Sequence, residues 1–246
     1  MIRISAGTTN AYLLESGAGW LLVDSGYDRD EQRFLRVLEG VGVEPGDIAY
    51  LLLTHHHDDH AGLVERLTTL EPSIRVITHE RSVPLLKKGH NDLDHGGYWL
   101  NGRVRFLARI KKWVTPAWDL TFPPYHVRDQ DIVIRAEVDE TTLRGLGVDA
   151  TIVATPGHTV DSISVVSADG EALVGDAAAS FLGFAGTRHC VVFVTDLEAY
   201  YASWKALIDR GVRRVLPSHG APFPIEVLAA DLGRNPVDAL VPFRGL

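Results

Sequence analysis

Thr54-His55-His56-His57-Asp58-Asp59-His60 follows directly on the apolar run Tyr50-Leu51-Leu52-Leu53. Four imidazoles and two carboxylates thus crowd the positions after Thr54, at the end of a run patterned as a buried strand. Neither group is tolerated unpaired in a core, and an ordinary surface turn does not gather both. Histidine and carboxylate are the donors that zinc and similar divalent cations take. His55 and His57 stand two apart, so in extended backbone both point the same way and can reach one cation. Asp59 and His60 come as the chain turns toward a helix, and can address a second position nearby.

Working outward, Trp20-Leu21-Leu22-Val23 reads as another short strand, closed by Asp24-Ser25-Gly26. Asp28, with Glu31 three residues on, starts a helix whose apolar face is Phe34, Leu35, Val37 and Leu38 and whose stop is Gly40. Leu63, Val64, Leu67 and Leu70 mark a helix after the histidines, and Arg75 to Thr78 a strand. Further strands are expected at Ala150 to Ala154, Ser162 to Val166, Ala172 to Val174 and Arg214 to Leu216. The stripe Leu197, Tyr200, Tyr201, Trp204, Leu207 and Ile208 is a core-facing helix, with Thr195 and Glu198 as its capping box and Gly211 beyond its end. Strands alternate with helices in both halves, which is the pattern of a layered α/β fold.

The segment 81–131 departs from this. It is rich in aromatic residues (Tyr98, Trp99, Phe106, Trp113, Trp118, Phe122, Tyr125) and in lysine and arginine. Leu100, Val104, Leu107 and Ile110 lie near helical spacing. It reads either as a packed helix with a basic side or as a partly helical lid over a substrate pocket, inserted in one domain spanning 1–246.

The 246 residues suffice for a large core, and no apolar run reaches the ~18 residues a membrane span needs. The N-terminus lacks a signal-peptide layout. The one cysteine, Cys190, excludes an internal disulfide, fits a reducing cytoplasm and reads as a small buried residue. The formal net charge of −8 repels phosphate backbones, so no nucleic-acid partner is expected, and the lack of a spanning run means that no membrane partner is expected either.

Three more polar residues end apolar strands beside glycine or proline: His158 in Thr155-Pro156-Gly157-His158, Asp176 in Leu173-Val174-Gly175-Asp176, and His219 in Leu216-Pro217-Ser218-His219. With Asp24 and His55-x-His57-x-Asp59-His60 they form an ordered set of five motifs. In this the chain resembles the metallo-β-lactamase superfamily of metal-dependent hydrolases.

The resemblance implies a four-layer αββα sandwich with metals at one edge. It implies that His55, His57 and His158 hold one cation, that Asp59, His60 and His219 hold a second, and that Asp176 bridges them. Asp24 orients the ligand loop from behind; His56 and Asp58 fall on variable positions and are read as non-ligands. Two divalent ions are expected, zinc first, with iron or manganese as alternatives. A metal-bridging hydroxide then cleaves an ester-like bond, with Asp59 as the catalytic residue that orients it or moves its proton.

Only 27 residues follow His219 in the 246, too few for the glutathione-binding segment of the glyoxalase II enzymes, whose version of the first motif is similar. A lactone, thioester or carboxylic ester with an apolar part suits the aromatic segment. Trp99, Arg188 and His189 are candidate substrate contacts. The other histidines, His79, His90, His95 and His126, are read as structural. Two alternatives within the superfamily are a phosphodiesterase or nuclease using the basic residues between Lys87 and Lys112, and a mononuclear-iron oxidoreductase resembling persulfide dioxygenases.

Overall fold

The computed structural model describes residues 1–92, 96–115 and 120–244; His95 and Trp118 lie outside the described residues. The first half runs β1 (Ile2–Ala6), β2 (Thr9–Ser16), β3 (Gly19–Val23), α1 (Glu31–Gly40), β4 (Ile48–Leu52), α2 (Val64–Leu70), β5 (Arg75–His79), α3 (Val83–Lys88), β6 (Tyr98–Trp99), α4 (Gly102–Val114) and β7 (Ile132–Ile134). The second runs β8 (Val138–Asp139), α5 (Thr142–Gly145), β9 (Ala150–Ala154), β10 (Ile163–Ser167), β11 (Glu171–Leu173), β12 (Phe193–Val194), α6 (Leu197–Asp209), β13 (Arg214–Leu216), β14 (Phe223–Pro224), α7 (Glu226–Asp231) and β15 (Val241–Pro242).

Two six-stranded sheets result, ordered β1-β2-β3-β4-β5-β7 and β14-β13-β11-β10-β9-β8. In the first, β3, β4, β5 and β7 are parallel, and β1 and β2 add an antiparallel meander. In the second, β11 and β13 are parallel and the other pairs antiparallel.

Strand periodicity explains the layering. Leu21 and Val23 of β3, with Tyr50 and Leu52 of β4, face the other sheet, where they meet Ile152, Ile163, Val165 and Leu173. Alternate residues, Leu22 and Leu51, point the opposite way onto Phe34 and Leu38 of α1 and Val64 and Leu67 of α2. The outer face of the second sheet is covered likewise: Ala172 and Val215 pack with Tyr200, Trp204 and Leu207 of α6. Strands apolar on both faces are what a sheet buried on both faces requires. The outcome is the four-layer αββα sandwich.

Some boundaries differ from expectation. The first helix begins as a 3-10 turn at Asp28–Asp30. The cap of α6 is Asp196, whose carboxylate accepts from the Ala199 amide, rather than Thr195. Thr195 instead donates its hydroxyl to the Gly157 carbonyl, tying the α6 entry to the loop before His158. The meander β1 and β2 has no counterpart in the reading of the sequence. Cys190 is buried, its thiol pushed up to about 12 by burial. Among the described residues no helix is long and apolar enough to cross a membrane.

A third, three-stranded sheet, β12-β6-β15, stands apart and brings Trp99, Phe193 and Phe243 together. Segment 81–131 therefore splits. Leu86, Phe122 and Tyr125 join the core beneath the first sheet, whereas Trp99, Leu100 and Val104 pack with the second half.

Leu52 sits fully buried between the sheets, just before the histidine run. Leu52→Ala is expected to lower unfolding free energy by roughly 2–5 kcal/mol, read from denaturant midpoints. A change under ~1 kcal/mol would show that this part of the core repacks without cost.

Candidate metal centre

The C-terminal ends of β3 and β4 meet those of β9, β11 and β13 at one edge of the sandwich. Each is followed by one of the sequence motifs: Asp24, His55, His158, Asp176 and His219. Residues from 24 to 219 converge on one spot because the strands that carry them stop there.

Asp24 is the anchor behind it. Its carboxylate accepts from the Thr54 amide (2.8 Å), the Thr54 hydroxyl (2.8 Å), His60 Nδ1 (2.8 Å) and the Ser218 hydroxyl (3.1 Å). One buried side chain thus ties together the entry to the histidine turn, the turn itself and the loop before His219. Asp24 adopts φ 61°, a left-handed conformation that aspartate tolerates better than most residues. Gly175 is needed nearby: at φ +52° its missing Cβ would lie 2.4 Å from the Thr54 hydroxyl. The turn closes through Ala61 N–H to His57 O (2.8 Å), while Ser25 N–H reaches His60 O (2.9 Å).

Three overlapping groups of donors result: His55, His57 and His158; His55, His60 and Asp176; and Asp59, His60 and His219. Within each, one atom per residue lies within 4.8 Å of the others. His158 Nε2 is 3.0 Å from His57 Nδ1 and 3.4 Å from Asp176 Oδ2. His219 Nε2 is 3.0 Å from Asp59 Oδ2 and 3.4 Å from Asp176 Oδ1. Asp176 therefore stands between the first group and the last.

The outward nitrogens are fixed. His60 Nδ1–H donates to Asp24, His158 Nδ1–H to the Phe193 carbonyl (2.8 Å), and His219 Nδ1–H to the Thr8 carbonyl (3.0 Å). Each leaves Nε2 turned inward, the arrangement that ligating imidazoles require. His55 Nε2, His60 Nε2 and Asp176 Oδ1 are buried with no hydrogen-bond partner. Orphaned buried polar atoms are rare and need a reason; convergent nitrogen and carboxylate lone pairs fit divalent cations.

Charge supports that fit. Burial, then the imidazoles of His60 and His57, hold His55 well below its ordinary value, and burial and His158 do the same for His57. Both are neutral and ready to donate lone pairs. Burial would also lower His60 and His219, but carboxylates outweigh it. Asp59, Asp24 and Asp176 hold His60 well above its usual range, and Asp176 and Asp59 push His219 up to about 9. Protons there do what cations would do. Despite burial, the imidazoles around Asp59 and Asp176 keep both carboxyls well below the usual range.

The two intervening residues take other parts. His56 points away, its Nδ1–H 3.0 Å from the buried Asp161 carboxylate and its Nε2 accepting from the Asp92 amide (2.9 Å). Asp161 also accepts from the Ser82 hydroxyl (2.7 Å), so it braces the turn against α3. Asp58 accepts from the Asn91 amide group (2.8 Å), and burial with the nearby Asp59 pushes its carboxyl up to about 7.

In front of the cluster opens a cavity of about 580 Å³. Trp99, Leu107, Phe181, Phe193 and Phe243 make much of its wall, and Tyr27, Asp58 and Lys111 give it polar points. Trp99, a candidate substrate contact, is among the residues lining this cavity. Arg188 and His189 are not among the residues lining this cavity. His189 pairs with Asp231 (2.8 Å) and packs against the Phe223 ring at a tilt, and Arg188 donates to the Arg234 carbonyl. Their loop docks on the C-terminal segment because Asp231 offers a partner that sequence order hides. Tyr27, Phe181 and Phe243 went unnoticed in the sequence, which marks none of them. Asp161 was legible only as a carboxylate three residues after His158.

Comparison with known proteins now decides the family. The sequence profile of the metallo-β-lactamase superfamily matches residues 4–219. The chain belongs to the metallo-β-lactamase superfamily. Among its relatives are the β-lactamase-like protein 2 homologues of Drosophila melanogaster (30% identity, 86% of this chain, 58% of the relative) and Caenorhabditis elegans (28%, 86%, 56%). Another is the atrochrysone carboxyl ACP thioesterase of Aspergillus fumigatus (27%, 87%, 51%). The chain spans little more than half the length of these relatives. Two similar solved structures are TTHA1623 in a di-iron-bound form (TM-score 0.62, 23% identity, 93% of this chain, 97% of that one) and ST1585 of Sulfolobus tokodaii (0.59, 22%, 95%, 84%). Both share the metallo-β-lactamase fold with this chain.

Asp24→Asn keeps the shape at position 24 and removes the charge that orients His60. Metal retention is expected to weaken about 10–100-fold, read by competition with a chelator; unchanged retention would dismiss the anchor role. Metal uptake at pH 7 is expected to release about two protons from His60 and His219, since a ligating nitrogen must be bare, and a further fraction of a proton from metal-bound water. Calorimetry in buffers of differing ionisation enthalpy measures this. The share from His219 should vanish as pH rises past about 9.

Proposed function

We propose that this chain is a dinuclear metal-dependent hydrolase that cleaves a lactone, thioester or carboxylic ester carrying an apolar group. His55, His57 and His158 hold one divalent cation, Asp59, His60 and His219 the other, and Asp176 both; zinc is the expected ion. When bound, the cations supply a water acidified to a pKa of about 7 and a Lewis acid for the substrate carbonyl. The observation that carries this reading is the overlap of the three donor groups through His55 and His60, with Asp176 in the middle group, in front of an apolar cavity.

The protein's own groups have definable tasks. Asp59 Oδ2 also accepts from the Thr9 hydroxyl (3.3 Å), and Asp59 lines the cavity, where its carboxylate would orient the attacking water or carry its proton to the leaving oxygen or sulfur as the acyl bond breaks. Trp99, Phe193 and Phe243, packed with centroids 5.1–6.4 Å apart, form an apolar wall that excludes water and seats the acyl or aryl part. Part of segment 81–131 thereby serves as the pocket wall, through Trp99 and the inner face of α4. Lys111, at the same cavity, gives a cationic point for a polar end of the substrate.

The thioesterase relative supports an acyl substrate. The phosphodiesterase reading keeps only Lys111 of the basic residues of α4 at the cavity, since Arg103, Arg105 and Arg109 are exposed and are not among the residues lining it.

Elemental analysis of the purified protein, beside a panel of lactones, thioesters, β-lactams and phosphodiesters, tests the proposal. About two divalent ions per chain and turnover of an ester-like substrate are expected. One iron per chain with oxygen uptake would replace this reading by an iron oxidoreductase. His57→Ala and Asp176→Ala are expected to abolish turnover and lower metal content while the chain stays folded. Trp99→Ala should raise KM for apolar esters about tenfold or more, a loss of the size a buried aromatic contact supplies, and leave metal content unchanged.

A further inference from the structure

The hydrolase reading does not explain the outer surface of helix α4. The helix runs Gly102–Val114 with five basic residues and no acidic one, in a chain whose formal charge is −8. Its inner face is accounted for: Val104 and Ala108 are buried, and Leu107 and Lys111 line the cavity. Its outer face is not polar. Phe106, Ile110 and Trp113, spaced i, i+4 and i+7, form one stripe, and they are 63%, 42% and 82% exposed. Phe184, 77% exposed, extends the patch from the neighbouring turn, which the Asn101 side chain ties to the helix start through the Ala185 carbonyl (3.1 Å). Arg105 and Arg109 flank the stripe on one side, and Arg103 sits beside Phe106; all three are exposed.

We infer that the outer face of α4 seats the enzyme on an anionic lipid surface. Exposed large apolar side chains at helical spacing, bordered by arginine, are the composition of an interfacial helix: aromatic and aliphatic groups enter the headgroup boundary while guanidinium groups meet lipid phosphates. Charge selects this occupant. A second copy of the chain would bring two cationic faces together. An anionic bilayer attracts α4 and repels the acidic remainder, so it also sets orientation. Leu107, which lines the cavity, is three residues before Ile110 on the same helix, so the docked face adjoins an element of the pocket wall. No membrane partner was expected from the sequence, where the absence of a spanning run was the only signal; a surface-bound helix needs none.

The test uses the metal-loaded protein and sedimentation with vesicles of phosphatidylcholine alone or with about 30% phosphatidylglycerol. Wild type should partition to the anionic vesicles at least tenfold more than to the neutral ones, and added salt should release it. Phe106→Ser/Ile110→Ser/Trp113→Ser should lose that partitioning at least tenfold, with unchanged metal content and unchanged turnover of a water-soluble ester. Arg105→Gln/Arg109→Gln, which touches no apolar contact, should weaken it about tenfold and flatten its salt dependence. Equal or absent binding to both vesicles would overturn the inference, as would variants that bind like wild type. A wild-type dimer in ultracentrifugation that the triple variant abolishes would overturn it in favour of a second copy. Because turnover of the soluble ester is read separately, failure here leaves the hydrolase reading intact, and failure of that reading leaves vesicle binding to be judged alone.

Discussion

Lone pairs that converge out of reach of water must meet a donor or a cation. At the strand-end edge of this sandwich, imidazole nitrogens and carboxylate oxygens from four separate stretches of chain point at one another. Three of those atoms have no hydrogen-bond partner at all. Carboxylates hold protons on His60 and His219, whereas burial strips them from His55 and His57. Such an arrangement stores electrostatic cost on both sides, and divalent cations relieve both at once. Much of the rest of the architecture serves to hold that cost in place.

The means of holding it lie behind the cluster. Asp24 bonds to the Thr54 backbone and hydroxyl, to His60 and to Ser218, so two sheets share one carboxylate. Asp161 braces His56 and Ser82 in the same manner on the other side of the histidine turn. Backbone carbonyls of Thr8 and Phe193 set the rings of His219 and His158. These partners carry little of the proposed chemistry, yet they determine which ring nitrogen faces the centre. A stiff rear wall is what allows the front to be an open apolar cavity.

That cavity divides the molecule's labour. Reactive groups come from strand ends, where the geometry is rigid. Much of the cavity wall comes from the small sheet β12-β6-β15 and the inner face of α4, which differ in kind from the sandwich and are largely apolar there. The outer face of α4 adds a second apolar surface close to the first. A substrate with an apolar body and one hydrolysable polar bond is the molecule such a pair of surfaces would suit.

Much of this was legible in the residues. Tyr50 to Leu53 and Trp20 to Val23 announce buried strands, because only a strand covered on both faces can be apolar at every position. The donor set was legible too, since His55, His57, Asp59 and His60 are close in sequence and His158, Asp176 and His219 each end an apolar run. Local chemistry determined those, as a crowd of imidazoles and carboxylates has few stable uses. Tertiary structure alone decided that Asp196 caps α6, that His189 turns to Asp231, that Tyr27 and Phe243 reach the cavity, and that Phe106 and Trp113 face outward while Leu107 faces in. These depend on which surfaces meet after folding. An aromatic residue or a histidine carries no mark of its partner until distant segments are brought within a few ångströms of it.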